Sequence, residues 1–447
     1  MASVRWLCIT SAVWVVGCEM GRSMPAPEEE DAGWEGDAGG SGVDAGPIPD
    51  AGGASDASVP FLVAPHHLFP QLPRHGTAIL APMRLVTIVS ANEALAARLE
   101  AFGAALVKSQ WYRTVGNEYG LGAAGPALSV TGPAIAAGTP SAPIGFTDAQ
   151  VQKYIAGVIQ AHASLTPDGR TVYLLYLPDG VTSPVGTNLN ADCSAGAGHH
   201  ASSATISTLN DGYAVVQRCP TYDPVEYPPE QLLTIIASHE VVEAATDPMP
   251  ETDATYQLWL PLGTSAWLRS PWIEIEGAFM VEVGDLCMSD RTFEGGFAYQ
   301  RIFSDAAAAQ GSAPCLPTPA SPYYSVTAPQ EWYVGAAGQQ VEIPLTGWST
   351  GPRGDWVVQA IGNNASSDAT YRMRTTLQSA TNITAGGVSY ATTNNGIEMP
   401  LQVQMPVNAP SGWWGTIVIY SFDVDANGYT PAGEDFGHTW TVGVRVP

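Results

Sequence analysis

From residue 83 onward the chain alternates between two textures of apolar and polar positions. "MRLVTIVS" is an unbroken β-branched run, the pattern of a buried strand. "NEALAARLEAFGAALVKSQWY" then repeats its apolar residues at helical spacing behind Asn92, a capping residue type. "TDAQVQKYIAGVIQAHASL" opens a second helix at Thr147, and "RTVYLLYLP" returns to a strand. A third helix is predicted from Leu232 to Thr246, entered through "YPPE" and left through Asp247-Pro248. This alternation predicts an α/β (α+β) domain. After Cys315 the helical period disappears. "YYSVTAP", "QQVEIPL", "DWVVQAIG", "TYRMRTTLQ", "MPLQVQMPV", "GTIVIYSFDV" and "TWTVGVRVP" are short alternating runs between Gly, Asn, Pro and Ser turns. They predict an all-β, immunoglobulin-like sandwich over residues 319–447, joined through the Pro-rich "PTPASP".

The region before residue 83 reads differently. "MASVRWLCITSAVWVVGC" has one arginine and an apolar stretch too short for a confident membrane span, so residues 1–17 are expected to be a signal peptide. "VVGC" resembles a bacterial lipobox, which implies that Cys18 is acylated and that the protein is exported and lipid-anchored to a bacterial membrane. Residues 18–60 repeat Asp-Ala-Gly with almost no bulky apolar side chain. Such a segment cannot offset its chain entropy by burial, and a disordered acidic tether is expected. Residues 61–318 form the first folded domain in this reading. The formal net charge is -25 with 17 Lys+Arg, and no basic run is present to displace phosphate counterions, so nucleic acid is not an expected partner.

Six cysteines occur, and once Cys8 and Cys18 are assigned to the leader and the lipid, four are left. An even remainder in an exported protein predicts two disulfides. Sequence proximity favours Cys193 with Cys219 and Cys287 with Cys315, among three connectivities.

The third helix carries "SHEVVEAATDP", an H-E-x-x-E pattern one ligand away from the H-E-x-x-H of zinc proteases. His239 and Glu243 project from one helical face, and a buried Glu243 needs a cation, a hydrogen-bond network or a proton. A metal satisfies both residues, and leaves Glu240 beside it as a general base. The alternative is that His239 and Glu243 pair with other core groups. "GAGHHASSA" adds His199 and His200 after Cys193, and "MVEVGDLC" adds Glu282 and Asp285 before Cys287.

The ordered series "SQWYRTVGNEYG", "TDAQVQKYI", "VYLLYLPDGVT", a cysteine followed by "HHASS", "YAVVQRCP", "SHEVVEAATDP" and "EVGDLC" resembles the plant phosphate-induced, exordium-like family and its bacterial relatives. The resemblance covers about residues 84–315. It implies a secreted α/β domain with a zincin-like helix, and no settled substrate, since the plant members are associated with growth and cell expansion. Carried over by position, it points to His239, Glu240, Glu243, Glu282, Asp285 and His200. The family's cysteine-to-histidine spacing is tighter than Cys193 to His200 here, so His199 competes with His200. Analogy with zinc proteases favours Glu282 as third ligand, with Asp285 either competing for that place or orienting His239. One histidine and two carboxylates would leave zinc nearly neutral and weaken its acidifying effect on water.

"DVDANGYTPAGE" matches a calcium loop through Asp423, Asp425, Asn427 and Glu434, and reads also as a polar hairpin loop. Two functions follow. One is a surface zinc peptidase acting on peptides, with Glu240 as base and His200 or His199 steadying an oxyanion. The other is a non-catalytic adhesion or wall-associated recognition protein that binds a cell-surface polymer and keeps the metal for structure.

Overall fold

The computed structural model describes residues 60–139, 142–183, 198–218, 228–250, 252–259, 270–274, 280–288, 290–363, 371–385, 388–424 and 438–447. The leader, Cys18, most of the tether and the expected Cys193–Cys219 bridge lie outside the described residues. The first part is mixed α/β. Its five-stranded sheet contains β1 (Arg84–Ser90), β2 (Leu128–Gly132), β3 (Thr171–Tyr176), β4 (Gly198–Ser202) and β5 (Gly212–Val216), in the order β2-β1-β3-β5-β4. β2, β1, β3 and β5 run parallel, and β4 is antiparallel to β5.

Strand alternation divides the core between the two faces of this sheet. Leu85, Val89, Val172, Leu174, Tyr176, Ala214 and Val216 pack on one side with α1 (Ala96–Leu106), α2 (Gln110–Tyr119) and the later helix α4 (Pro229–Thr246). Val86, Ile88, Tyr173, Leu175, Tyr213 and Val215 pack on the other with Val151, Ile155 and Val158 of α3 (Asp148–Ala161). The continuous apolar runs of β1 and β3 follow from this double burial.

The long helix expected after Asn92 is two helices. Ser109 breaks it: its hydroxyl accepts from the Tyr112 amide and caps α2, which ends on Gly120 at a φ of 74°. Asn92 is not a cap; its side-chain amide donates to the Ile135 carbonyl at 2.9 Å. α3 begins as expected, with the Gln150 side chain accepting from the Thr147 amide at 2.8 Å. Pro228 and Pro229 open α4, and the helix ends before Asp247.

Beyond α4, a hairpin of Arg291–Glu294 and Phe297–Gln300 lies against the helix. Cys287 and Cys315 form the expected bridge, with a sequence separation of 28. Replacing both cysteines by alanine should lower stability by roughly 2–4 kcal/mol through the entropy of the closed loop. A shift of the denaturation midpoint at unchanged slope would show it.

All seven strand runs expected after Cys315 are strands. They join three further short ones in a four-stranded and a six-stranded sheet. Ile343, Leu345, Leu401 and Val403 of the first sheet and Val358, Ile417, Ile419 and Val442 of the second are buried in one cluster, an arrangement compatible with a β-sandwich. The added strands Thr381–Ala385 and Val388–Thr393 come from a Thr-, Asn- and Ser-rich stretch with little hydrophobic alternation, which hid them. The two parts meet through Phe69, Trp272 and Trp440, and through His438, whose Nδ1 lies 3.0 Å from Asp290 Oδ1.

Candidate metal centre

One helical turn on α4 sets His239 Nε2 2.9 Å from Glu243 Oε2. The turn Asp285–Cys287, tied to Cys315 by the disulfide, brings in a third group: Asp285 Oδ1 is 3.6 Å from the same imidazole nitrogen. The backbone holds one oxygen of each carboxylate. Glu243 Oε1 accepts from the Gly284 amide at 3.0 Å, and Asp285 Oδ2 accepts from the Glu282 amide at 2.7 Å. The other oxygen of each is turned toward His239.

The other side of the imidazole fixes which nitrogen is left to face the carboxylates. Gln300 donates its side-chain N–H to the Gly284 carbonyl at 2.8 Å, which leaves its Oε1 to face His239 Nδ1 at 3.1 Å. Nδ1 therefore carries the proton, and a neutral His239 turns its Nε2 lone pair toward two carboxylate oxygens. A lone pair facing anions is repulsive unless a cation or a second proton stands between them. His239, Glu243 and Asp285 each offer one ligand atom, all within 4.8 Å of one another, so these residues fit a metal ion.

The geometry separates the candidates that the sequence left open. Asp285, rather than Glu282, joins His239 and Glu243. The tight turn after Gly284 folds Asp285 back onto the helix, while the Glu282 carboxylate lies 3.4 Å from His200 Nε2. The role of orienting His239, the alternative foreseen for Asp285, belongs to Gln300. Between the two neighbouring histidines, strand alternation decides. His200 is opposite Ala214 and shares its α4-side face; His199 is opposite Val215 and turns to α3, where its Nε2 meets Asp148 Oδ1 at 3.5 Å.

His200 completes a second group, its Nδ1 standing 3.4 Å from Glu240 Oε2 and 3.6 Å from Glu243 Oε2. Gly198 makes room for it, since a Cβ there would stand 2.5 Å from Glu240 Oε1. Neither nitrogen of His200 faces open space, so the expected oxyanion donor is instead enclosed by carboxylates.

Electrostatics reflect this crowding. Burial disfavours the protonated form of both histidines but is outweighed, for His200 by Glu282, Glu240 and Glu243 and for His239 by Glu243, Glu240 and Asp285, so both are held well above the usual imidazole range. Burial pushes Glu243 up to about 8 and Asp285 up to about 6. Asp247, just past α4, rises to about 7 through burial and the nearby Glu282.

Gln300 gave no sign in the sequence. Gln300 lies 61 residues from the histidine it orients and belongs to no spacing pattern. Gln300→Leu should weaken metal binding about 10- to 100-fold, the usual cost of losing such an outer partner, while Gln300→Glu should retain most of it. Chelator competition on the folded variants measures both.

The other candidates sort readily. Cys287, Asp290 and Cys315 also converge, but both thiols are spent in the disulfide. In the calcium-loop motif both oxygens of Asp423 accept from Arg353 Nη2, at 2.7 and 2.8 Å, so a guanidinium already neutralises that carboxylate. Asp425, Asn427 and Glu434 lie outside the described residues.

No protein-family model matches the chain, and no curated protein matches it. Among solved structures, AvmM, described as catalysing macrocyclization in alchivemycin A biosynthesis, aligns over 28% of this chain and 88% of its own at 9% identity. Its TM-score of 0.19 defines no common fold.

Proposed function

We propose that the α/β part is the head of an exported, exordium-like bacterial lipoprotein, with a zincin-like zinc site that hydrolyses peptide bonds. One observation carries the reading: His239 commits Nδ1 to Gln300 and turns Nε2 to Glu243 and Asp285, in the company of a third buried carboxylate, Glu240. A zinc ion held by His239, Glu243 and Asp285 would supply Lewis acidity toward a carbonyl oxygen and acidify water. Glu240 follows His239 on α4 and is not needed to complete that ligand set. Its carboxylate, 3.4 Å from His200 Nδ1, takes a proton from the attacking water and returns it to the leaving amine. His200 steadies the charge on Glu240 through these cycles.

The acyl group at Cys18 anchors the head, and the acidic tether lets it reach outward to peptides or cell-surface polymers. Among the described residues no helix is long and apolar enough to cross a membrane, which is neutral for a lipid anchor.

Burial supports a second reading. The side chains of Glu243, His200 and Glu240 are only 3%, 6% and 7% exposed, as in a closed structural site that serves adhesion or wall recognition. Glu240→Gln separates the two. The peptidase reading expects cleavage to fall about 10²- to 10⁴-fold with metal content unchanged. Zinc-loaded wild-type protein that is inert on broad peptide libraries overturns it.

A further inference from the structure

We propose that the centre takes a second divalent cation, on His200 Nδ1, Glu240 and Glu243, and that filling this position withdraws Glu240 from base chemistry. The inference rests on the reading of His239, Glu243 and Asp285 as a first metal position.

Two triads converge here, not one. His200, Glu240 and Glu243 offer atoms within 4.8 Å of one another, as do His239, Glu243 and Asp285, and Glu243 belongs to both. Its Oε2 lies between the two imidazoles, 2.9 Å from His239 Nε2 and 3.6 Å from His200 Nδ1, while Oε1 is held by the Gly284 amide. An oxygen so placed is a natural bridge between two ions.

His200 supplies the independent observation. Its side chain is 6% exposed, its Nε2 makes no hydrogen bond, and that nitrogen faces Glu282 Oε1 at 3.4 Å. A neutral imidazole has one N–H. With that proton on the Glu282 side, the Nδ1 lone pair is aimed at Glu240 and Glu243, the arrangement a cation satisfies. Placing the proton on Nδ1 instead turns a lone pair against Glu282, so the metal-free ring meets all three carboxylates only as an imidazolium, and a divalent ion on the Nδ1 side would take the place of that second proton.

The number of donors points the same way. Glu240, Glu243, Glu282 and Asp285, when ionised, bring four negative charges into a buried cluster. Together with the two imidazoles, these four carboxylates are more donors than a single divalent ion takes up. The mixed nitrogen and oxygen donors suit Zn²⁺, Co²⁺ or Mn²⁺.

Calorimetric titration of the metal-free full chain with Zn²⁺, checked by metal analysis after gel filtration, tests this without reference to activity. Two equivalents are expected, the second weaker because it shares Glu243 and meets the first ion's charge. His200→Ala, or the more conservative His200→Gln, should lose the second equivalent and keep the first. A wild-type protein that saturates at one equivalent overturns the second position and leaves the first standing. Two equivalents retained in folded His200→Gln also overturn it. No binding at all removes both.

Discussion

Glu243→Ala should abolish stoichiometric metal binding. The expected fall in affinity exceeds about 100-fold, the upper end of what an outer partner costs, because the proposed site uses this residue as a direct donor. Its Oε2 is 2.9 Å from His239 Nε2, and its Oε1 holds the Gly284 amide at the turn that delivers Asp285. Truncation thus removes one ligand and loosens the placement of another. The carboxylate is buried and pushed up to about 8, so in the metal-free protein its removal relieves part of a desolvation cost while opening a small cavity. Glu243→Gln keeps the shape and the contact with Gly284, and is the control for folding. Metal analysis after exhaustive dialysis gives the result. Zinc retained by folded Glu243→Ala at wild-type stoichiometry would remove the metal reading altogether.

Much of the scaffold was legible because local chemistry and tertiary environment agree. β1 and β3 read as strands since both of their faces are buried, and α4 read as a helix because Pro228, Pro229 and Asp247-Pro248 bracket it. The break at Ser109 was hidden because the apolar period runs through it while the capping contact is local. In the site, His239 and Glu243 were visible because one helical turn relates them. The choice of His200 over His199 depended on the register of β4 with β5. Asp285 was named beside Glu282 from its motif, but the choice between them, and Gln300 altogether, depended on a turn and a hairpin whose positions come from long-range packing and a disulfide. Spacing in the chain carries no record of those contacts.

The metal-free protein should lose stability as pH rises from 5 to 8, and metal should reverse that slope. The sign is the same for every strongly shifted group in the cluster. His200 and His239 have folded-state values above the unfolded one, so their stabilising contribution is full below about 6.5 and is lost as pH rises through the folded value. Glu243, with an ordinary value of 4.5, is raised to about 8; Asp285 and Asp247, from 3.8, are raised to about 6 and about 7. Between those limits the folded state holds protons that the unfolded state has released. Each such proton steepens the loss by about 1.4 kcal/mol per pH unit. Asp148 and Asp168 are lowered instead, and their contribution changes only below the ordinary carboxylate range, outside this window. Metal binding requires the same groups deprotonated, so its stabilisation grows with pH. Denaturant titrations of chelator-treated and zinc-loaded protein at pH 5 and pH 8 should therefore diverge in opposite directions. Glu243→Gln, which cannot ionise at that position, should flatten the metal-free slope; a wild-type metal-free stability that is level or rises over this range would contradict the crowding of carboxylates around His200 and His239.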